Sequence, residues 1–301
     1  MTDVEDHADC LARSAGEGFL KLRPDFELAG GVFDSEQAEG DGVGRSGGSL
    51  ILNADDWGRS RDITDRTYEC AHHGSISSVS AMVWMADSER AAALARERGI
   101  DAGLHLNLTT PFSAPGIPER VARRQHEVAS YLRRCRLAQV IFQPLLMRSF
   151  EYVVSAQVLE FQRLYGRAPA RVDGHHHMHL CGNVLWGRLL PAGCMVRRNF
   201  SFQPGEKGSA NRLYRKVVDC VLDRRHQLTD YFFSLSPLKP RSRLQRIFTL
   251  ARKFVVELET HPIEPQQYQF LVSGEIFSAI GDVPIAPRFV VRSNARLHHE
   301  S

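Results

Sequence analysis

Four stretches of this chain carry side chains able to do chemistry together. Asp173-Gly174-His175-His176-His177-Met178-His179 puts four imidazoles in five positions, inside the chain rather than at a terminal tag. Several buried imidazoles need partners at once, and a divalent cation serves them better than any side chain. If this stretch is a strand, His175, His177 and His179 face one way and His176 the other. Asp173 could then orient a metal-bound imidazole from behind. Asn53-Ala54-Asp55-Asp56-Trp57-Gly58 holds two adjacent carboxylates. Such a pair is costly in a low-dielectric cleft unless a cation offsets it. A strand pleat would send the neighbours apart, one to a metal and the other left free as a base. Taken alone, an Asp-Asp pair more commonly caps a helix or a turn. Gly103-Leu104-His105-Leu106-Asn107-Leu108-Thr109 places His105 and Asn107 on one strand face and three leucines on the other. A lone histidine in that setting is ordinarily a hydrogen-bonded core residue. Glu257-Leu258-Glu259-Thr260-His261-Pro262 ends in a proline that stops a strand and leaves His261 at its tip, a candidate acid beside the other three.

These stretches need a scaffold that brings strand ends together. Ser49–Asn53 is an apolar run that suits a buried strand. A helix over Asp62–His73 closed by Gly74, a strand over Ser77–Val83, a helix over Ser88–Arg98 and a strand over Asp101–Leu108 follow. The rhythm resumes with a helix over Ser149–Tyr165 and a strand over Ala170–Leu180. Further strands are expected at Met195–Asn199, Tyr231–Leu235 and Phe254–Thr260, and helices at Ala210–His226 and Ser242–Lys253. Alternating strands and helices predict a parallel sheet with helical crossovers, open or closed into a barrel. In such folds sites lie at the C-terminal strand ends, where the clusters above fall. Residues 110–148, with four prolines and seven arginines, read as an insertion or lid over one end of the sheet. Tyr231, Phe232 and Phe233 could stack on a sugar ring or simply build a core strand.

The 301 residues are 43% hydrophobic and 24% charged, enough for a substantial core. No apolar run approaches the roughly 18 residues of a membrane span. The acidic N-terminus lacks the basic flank and apolar core of a signal peptide, so the expected location is cytoplasmic. The six cysteines are scattered without a C-x-x-C pair and read as free thiols. Residues 1–48 carry eleven acidic and four basic side chains and end in a Gly-rich run. Their composition predicts a disordered extension. One domain is expected over 49–292, with a short tail over 293–301. Beyond the extension the chain is net +10. That balance suits anionic partners such as a sugar phosphate, a lipid pyrophosphate or a membrane surface, or else is a merely soluble, Arg-rich exterior. No basic stripe interleaved with aromatics argues for nucleic acid, and homo-oligomer formation is left open.

Together and in this order, the N-A-D-D-aromatic-G, G-x-H-x-x-L-T, D-G-H-H-H-x-H and H-P segments resemble the YdjC-like carbohydrate deacetylases. The resemblance covers most of 49–292 and implies a distorted β/α barrel. It implies that Asp56, His105 and His175 hold one divalent metal, with Asp55 as general base and His261 as general acid. The metal would activate a water that attacks the acetyl group of an N-acetylated sugar. Arg197 or a backbone N–H could help hold the oxyanion. His177, His179, Asn107 and Asp173 are candidates for supporting or substrate contacts. Two imidazoles favour Zn²⁺, and the family also implies Mg²⁺. The substrate could be an oligosaccharide, a lipid-linked sugar or an anionic sugar. Residues 1–48 have no family counterpart, and the Arg- and Pro-rich 110–148 stretch departs from the chitooligosaccharide enzymes. Two alternatives remain: a metal-dependent phosphoesterase, and a non-catalytic sugar-binding protein on the same scaffold.

Overall fold

A computed structural model of the chain describes residues 47–202 and 208–289. The expected N-terminal extension, up to residue 46, and the C-terminal tail lie outside the described residues. Gly48, the last residue of the expected extension, is packed against the sheet's end. The Gly48 N–H donates to Arg252 O at 3.1 Å, and a Cβ at this position would lie 2.3 Å from Phe254 N. That glycine is required by packing and is not part of a linker.

The elements run β1 (Ser49–Trp57), α1 (Arg61–His72), β2 (Ser78–Ala81), α2 (Ser88–Arg98), β3 (Ala102–Leu106), α3 (Glu119–Leu132), α4 (Met147–Tyr165), β4 (Arg171–Gly174), α5 (Gly182–Trp186), β5 (Met195–Val196), α6 (Ser209–Asp223), β6 (Tyr231–Ser234), α7 (Arg241–Ala251), β7 (Val255–Thr260), α8 (Pro265–Val272) and α9 (Glu275–Ile280). Among the described residues the strands form one parallel sheet in the order β5-β4-β3-β2-β1-β7-β6. The sheet curls, and its two edges approach. Met195 bridges Gln227 just before β6, and the Ser201 N–H donates to Phe232 O at 2.8 Å. The result is the distorted β/α barrel expected from the sequence.

Alternation along the strands sorts side chains into two environments. Leu50, Leu52, Ala54, Val79, Leu104, Val172, Val256 and Leu258 join the main apolar core with the helices. The opposite faces line the barrel interior. At its N-terminal end Ile51 and Val255 pack with Ala286 and Phe289. Above this plug the interior turns polar: Asn53, Asp55, Ser78, Ser80, His105, Arg171, Asp173, Glu257 and Glu259 are all buried. Gly103 makes room for this filling, because a Cβ there would lie 2.6 Å from Arg171 Nε.

Residues 110–148, expected as an insertion or lid, hold a packed helix. Pro118 caps α3, whose Val128 and Leu132 pack into the core beside Phe150 and Val153 of α4. The irregular parts are 110–118 and 133–146, the latter with 3₁₀ turns at Arg136–Gln139 and Pro144–Leu146. The strand expected over Ala170–Leu180 stops at Gly174. His175–Leu180 is a tight 3₁₀ segment in which His176 (φ 55°) and His177 (φ 58°) are left-handed. The alternating-face reading of the histidine run therefore fails.

Candidate active site

β1 delivers the two aspartates. Its register with β2 shifts between Ala54 and Trp57, and Asp56 has φ 65°. A regular pleat would send adjacent side chains to opposite faces, as the sequence suggested. The shift instead brings both carboxylates toward His105, whose Nε2 lies 3.4 Å from Asp56 Oδ1 and 3.9 Å from Asp55 Oδ2. Left-handed backbone at a non-glycine residue costs about 1–2 kcal/mol. Three such residues, Asp56, His176 and His177, occur in this one site.

His105 points inward from β3, and its Nδ1 meets Asp173 Oδ1 of β4 at 2.7 Å. With the Nδ1–H donated to that carboxylate, Nε2 is the nitrogen that faces Asp56. A carboxylate behind a ligating imidazole is the usual way its tautomer and ring angle are set. His175, directly after β4, places Nδ1 at 2.9 Å from Asp56 Oδ1. Arg59 donates to Asp56 Oδ2 at 2.9 Å, while the buried Oδ1 has no hydrogen bond. The three ligand atoms lie within 4.8 Å of one another. Donors around one tetrahedral zinc are separated by about 3.3 Å at ordinary bond lengths, so one oxygen without a hydrogen bond and two imidazole nitrogens fit a divalent ion. Burial opposes ionisation of Asp56, but the His105 and His175 rings hold its carboxyl well below the usual range. Burial also opposes charging His105, yet Asp55 and Asp173 raise it to about 10. A cation at this point would take over the role of that proton.

Asp55 is held differently. Arg197, fully buried, reaches it with both terminal nitrogens at 2.7 Å, and Asn53 Nδ2 donates at 2.9 Å. Burial raises the Asp55 pKa, but the guanidinium and His105 outweigh it and keep the carboxyl ionised. The Arg197 Nε donates to Glu257 Oε1 at 2.7 Å, and Nη2, one of the two nitrogens on Asp55, also lies 3.1 Å from Asp173 Oδ2. Its fork is thus taken up by carboxylates inside the barrel.

His261 follows β7, and its Nδ1 lies 3.6 Å from Glu259 Oε1. Asp55, Glu259 and His261 converge as a second group of donors. His177 lies 3.7 Å from Glu259 Oε2 and packs edge-on against Phe200. His179 turns back beneath Gly174, its Nε2 2.9 Å from Arg197 O. Burial, helped by the Arg197 charge, pushes His177 down to about 3, and burial pushes His179 to about 4. Both are neutral. Asn107 does not join the site. Its Oδ1 accepts from the N–H groups of Thr109 and Thr110 and shapes the turn after β3. That turn places Thr109 Oγ1 at 2.9 Å from His176 Nδ1. Sequence reasoning overlooked the contributions of Ser80, which donates to Asp173, and of Glu257. Two glutamates two apart on an otherwise apolar β7 were the available signal.

A family model described as YdjC-like protein matches residues 49–276. The chain belongs to the YdjC-like family. Among curated relatives of this YdjC-like chain is a chitooligosaccharide deacetylase from Enterobacter sp. (strain 638), 34% identical over 58% of this chain and 64% of that protein. Another, from Serratia marcescens, is 34% identical over 44% of this chain and 50% of its own length. A mouse carbohydrate deacetylase is 28% identical over 72% of this chain and 78% of its own. The chain thus spans half to two-thirds of the bacterial relatives it matches. A solved structure from Enterococcus faecalis V583, whose name refers to cellobiose-phosphate cleavage, shares the fold with TM-score 0.56 and 20% identity over 80% of this chain and 96% of that one.

Proposed function

We propose that this YdjC-like protein is a metal-dependent hydrolase that removes the acetyl group from an N-acetylated sugar. The observation that carries the proposal is the meeting of Asp56, His105 and His175 at one point, with ionised Asp55 beside them and His261 across from it. The names of the deacetylase relatives point the same way.

An amide is a weak electrophile with a poor leaving group, so hydrolysis needs an activated water and a proton for nitrogen. A divalent ion, Zn²⁺ or Mg²⁺, held by Asp56, His105 and His175 would supply Lewis acidity toward the acetyl oxygen and make water easier to deprotonate. Asp55 then accepts the proton of the attacking water. Arg197 keeps it ionised and aimed, so it is available as a base over a wide pH range. Asp173 holds His105 in the tautomer that presents Nε2. His261 gives its proton to the departing sugar nitrogen, and Glu259 holds the ring for that transfer. Acetate and the free amino sugar leave.

Acetate release should be measured across N-acetylated oligosaccharides, nucleotide sugars and lipid-linked sugars, alongside elemental analysis. The expected result is release from at least one class, about one divalent ion per chain, and loss of both on chelation. Activity unaffected by chelators in metal-free protein would overturn the metal role. Phosphate release without acetate release would replace the reading with a phosphoesterase.

A further inference from the structure

The segment between α3 and α4 has a composition unlike the rest of the surface. From Val128 to Phe150 it holds four arginines and no acidic residue. Arg133, Arg134, Arg136 and Arg148 are exposed, and none has an ion-pair partner among the described residues. The same segment exposes large apolar side chains: Leu137 (66%), Ile141 (55%), Phe142 (40%) and Leu145 (88%). The backbone beneath them is fixed. Tyr131 Oη donates to Ile141 O at 3.0 Å, and Asn183 of α5 exchanges hydrogen bonds with both Gln143 N–H and Gln143 O. A Cβ on Gly182 would lie 2.5 Å from Val140 O, so α5 lies directly against the segment, and its last residue, Trp186, is 66% exposed. The apolar side chains are therefore held outward on an ordered support.

This surface opens onto the active site. A cavity of about 690 Å³ is lined by Leu132, Arg133, Arg136 and Gln139 on the segment's side and by Thr109 and His176 on the other. The His176 ring lies 3.9 Å from that of His175.

We propose that residues 133–148, with Trp186, form a docking surface for an anionic lipid bilayer at the mouth of the active-site cavity. Apolar side chains in a field of unpaired arginines suit the headgroup boundary. The apolar groups enter the acyl layer while the guanidiniums meet lipid phosphates. A protein partner that covered the same patch would have to supply several acidic groups around an apolar centre. The bilayer meets both demands with one chemistry.

The test is flotation of the full chain with vesicles of phosphatidylcholine containing phosphatidylglycerol, and with phosphatidylcholine alone. Binding is read without turnover, so its outcome is separate from that of the deacetylase reading. Binding is expected on the anionic vesicles and should weaken as salt is raised. Arg134→Gln with Arg148→Gln, neither of which lines the cavity, should lower the partition coefficient roughly tenfold or more. Ile141→Ser with Leu145→Ser should do the same on anionic vesicles while leaving the melting temperature in place. Should those variants fold poorly, the unaltered protein carries its own probe: brominated lipids should quench its tryptophan emission, and Trp186→Phe should remove most of that quenching, because Trp57 is fully buried and Trp84 is partly buried against Phe112. No binding to anionic vesicles, or binding indifferent to both pairs of substitutions, would overturn the proposal. So would light scattering showing a dimer that Leu145→Ser converts to a monomer, since the patch would then be covered by a second copy.

Discussion

Two adjacent aspartates with opposite surroundings make the sharpest residue-level test. Asp56 has a buried oxygen without a hydrogen bond facing two imidazoles, whereas Asp55 is saturated by Arg197 and Asn53. Asp56→Asn should therefore empty the metal site. Asp55→Asn should keep the metal and lose roughly 10²–10⁴-fold in turnover, the usual worth of a general base. Metal content and turnover measured on both variants check this, and the reverse pattern would exchange the two roles. Asp173→Asn, acting through His105, should weaken metal affinity by about 10–100-fold. His261 is tested by leaving group. An amide needs its nitrogen protonated and an activated aryl acetate does not, so His261→Ala should slow the amide far more than the ester. Equal slowing of both substrates would pass the acid's role to another group.

At the scale of elements, the turn after β4 does the positioning. The chain reverses through two left-handed histidines, which drops His179 under Gly174 and leaves His175 at the cleft. A Cβ on Gly174 would lie 2.8 Å from the backbone nitrogen of His179, which cannot move aside as a side-chain tip could. Gly174→Ala should cost about 1–3 kcal/mol by overpacking and weaken metal binding with it; a thermal melt and a metal titration would show both. The sequence marked the four-histidine run as a candidate metal cluster, but its geometry was not legible, and of the four only His175 joins a group of donors that could hold an ion. Strand periodicity predicts His175, His177 and His179 on one face. A backbone reversal at two non-glycine residues has no local signal, because it is held by contacts to Thr109, Glu259 and Arg197 from other parts of the chain.

For the whole molecule, the polar barrel interior couples stability to pH. His179 is fully buried, and its pKa of about 4 lies below the roughly 6.5 of a free imidazole. The unfolded chain therefore takes up the proton first on acidification. Stability from this group is complete above about pH 6.5 and is lost as the pH falls through 4, by up to about 3 kcal/mol. Urea melts between pH 7 and 4 should show the decline, and His179→Gln should flatten it. An unchanged slope in that variant would mean that His179 is not among the groups that couple.

The strand–helix rhythm, the parallel sheet and the residue types at the strand ends were all readable from the chain alone, because each rests on local periodicity or on side-chain chemistry. Ser49–Asn53 announced β1, side-chain chemistry marked four candidate clusters, and the family resemblance singled out Asp55, Asp56, His105, His175 and His261 among them. Which aspartate faces the imidazoles was decided only in three dimensions. A register shift against β2 turns Asp56 into the cleft, and a guanidinium arriving 142 residues later claims Asp55. Arg197 shows the limit most plainly. In sequence it is one arginine among many, and its role exists only because the curled sheet brings β1, β4 and β7 around a single buried charge that three of their carboxylates share.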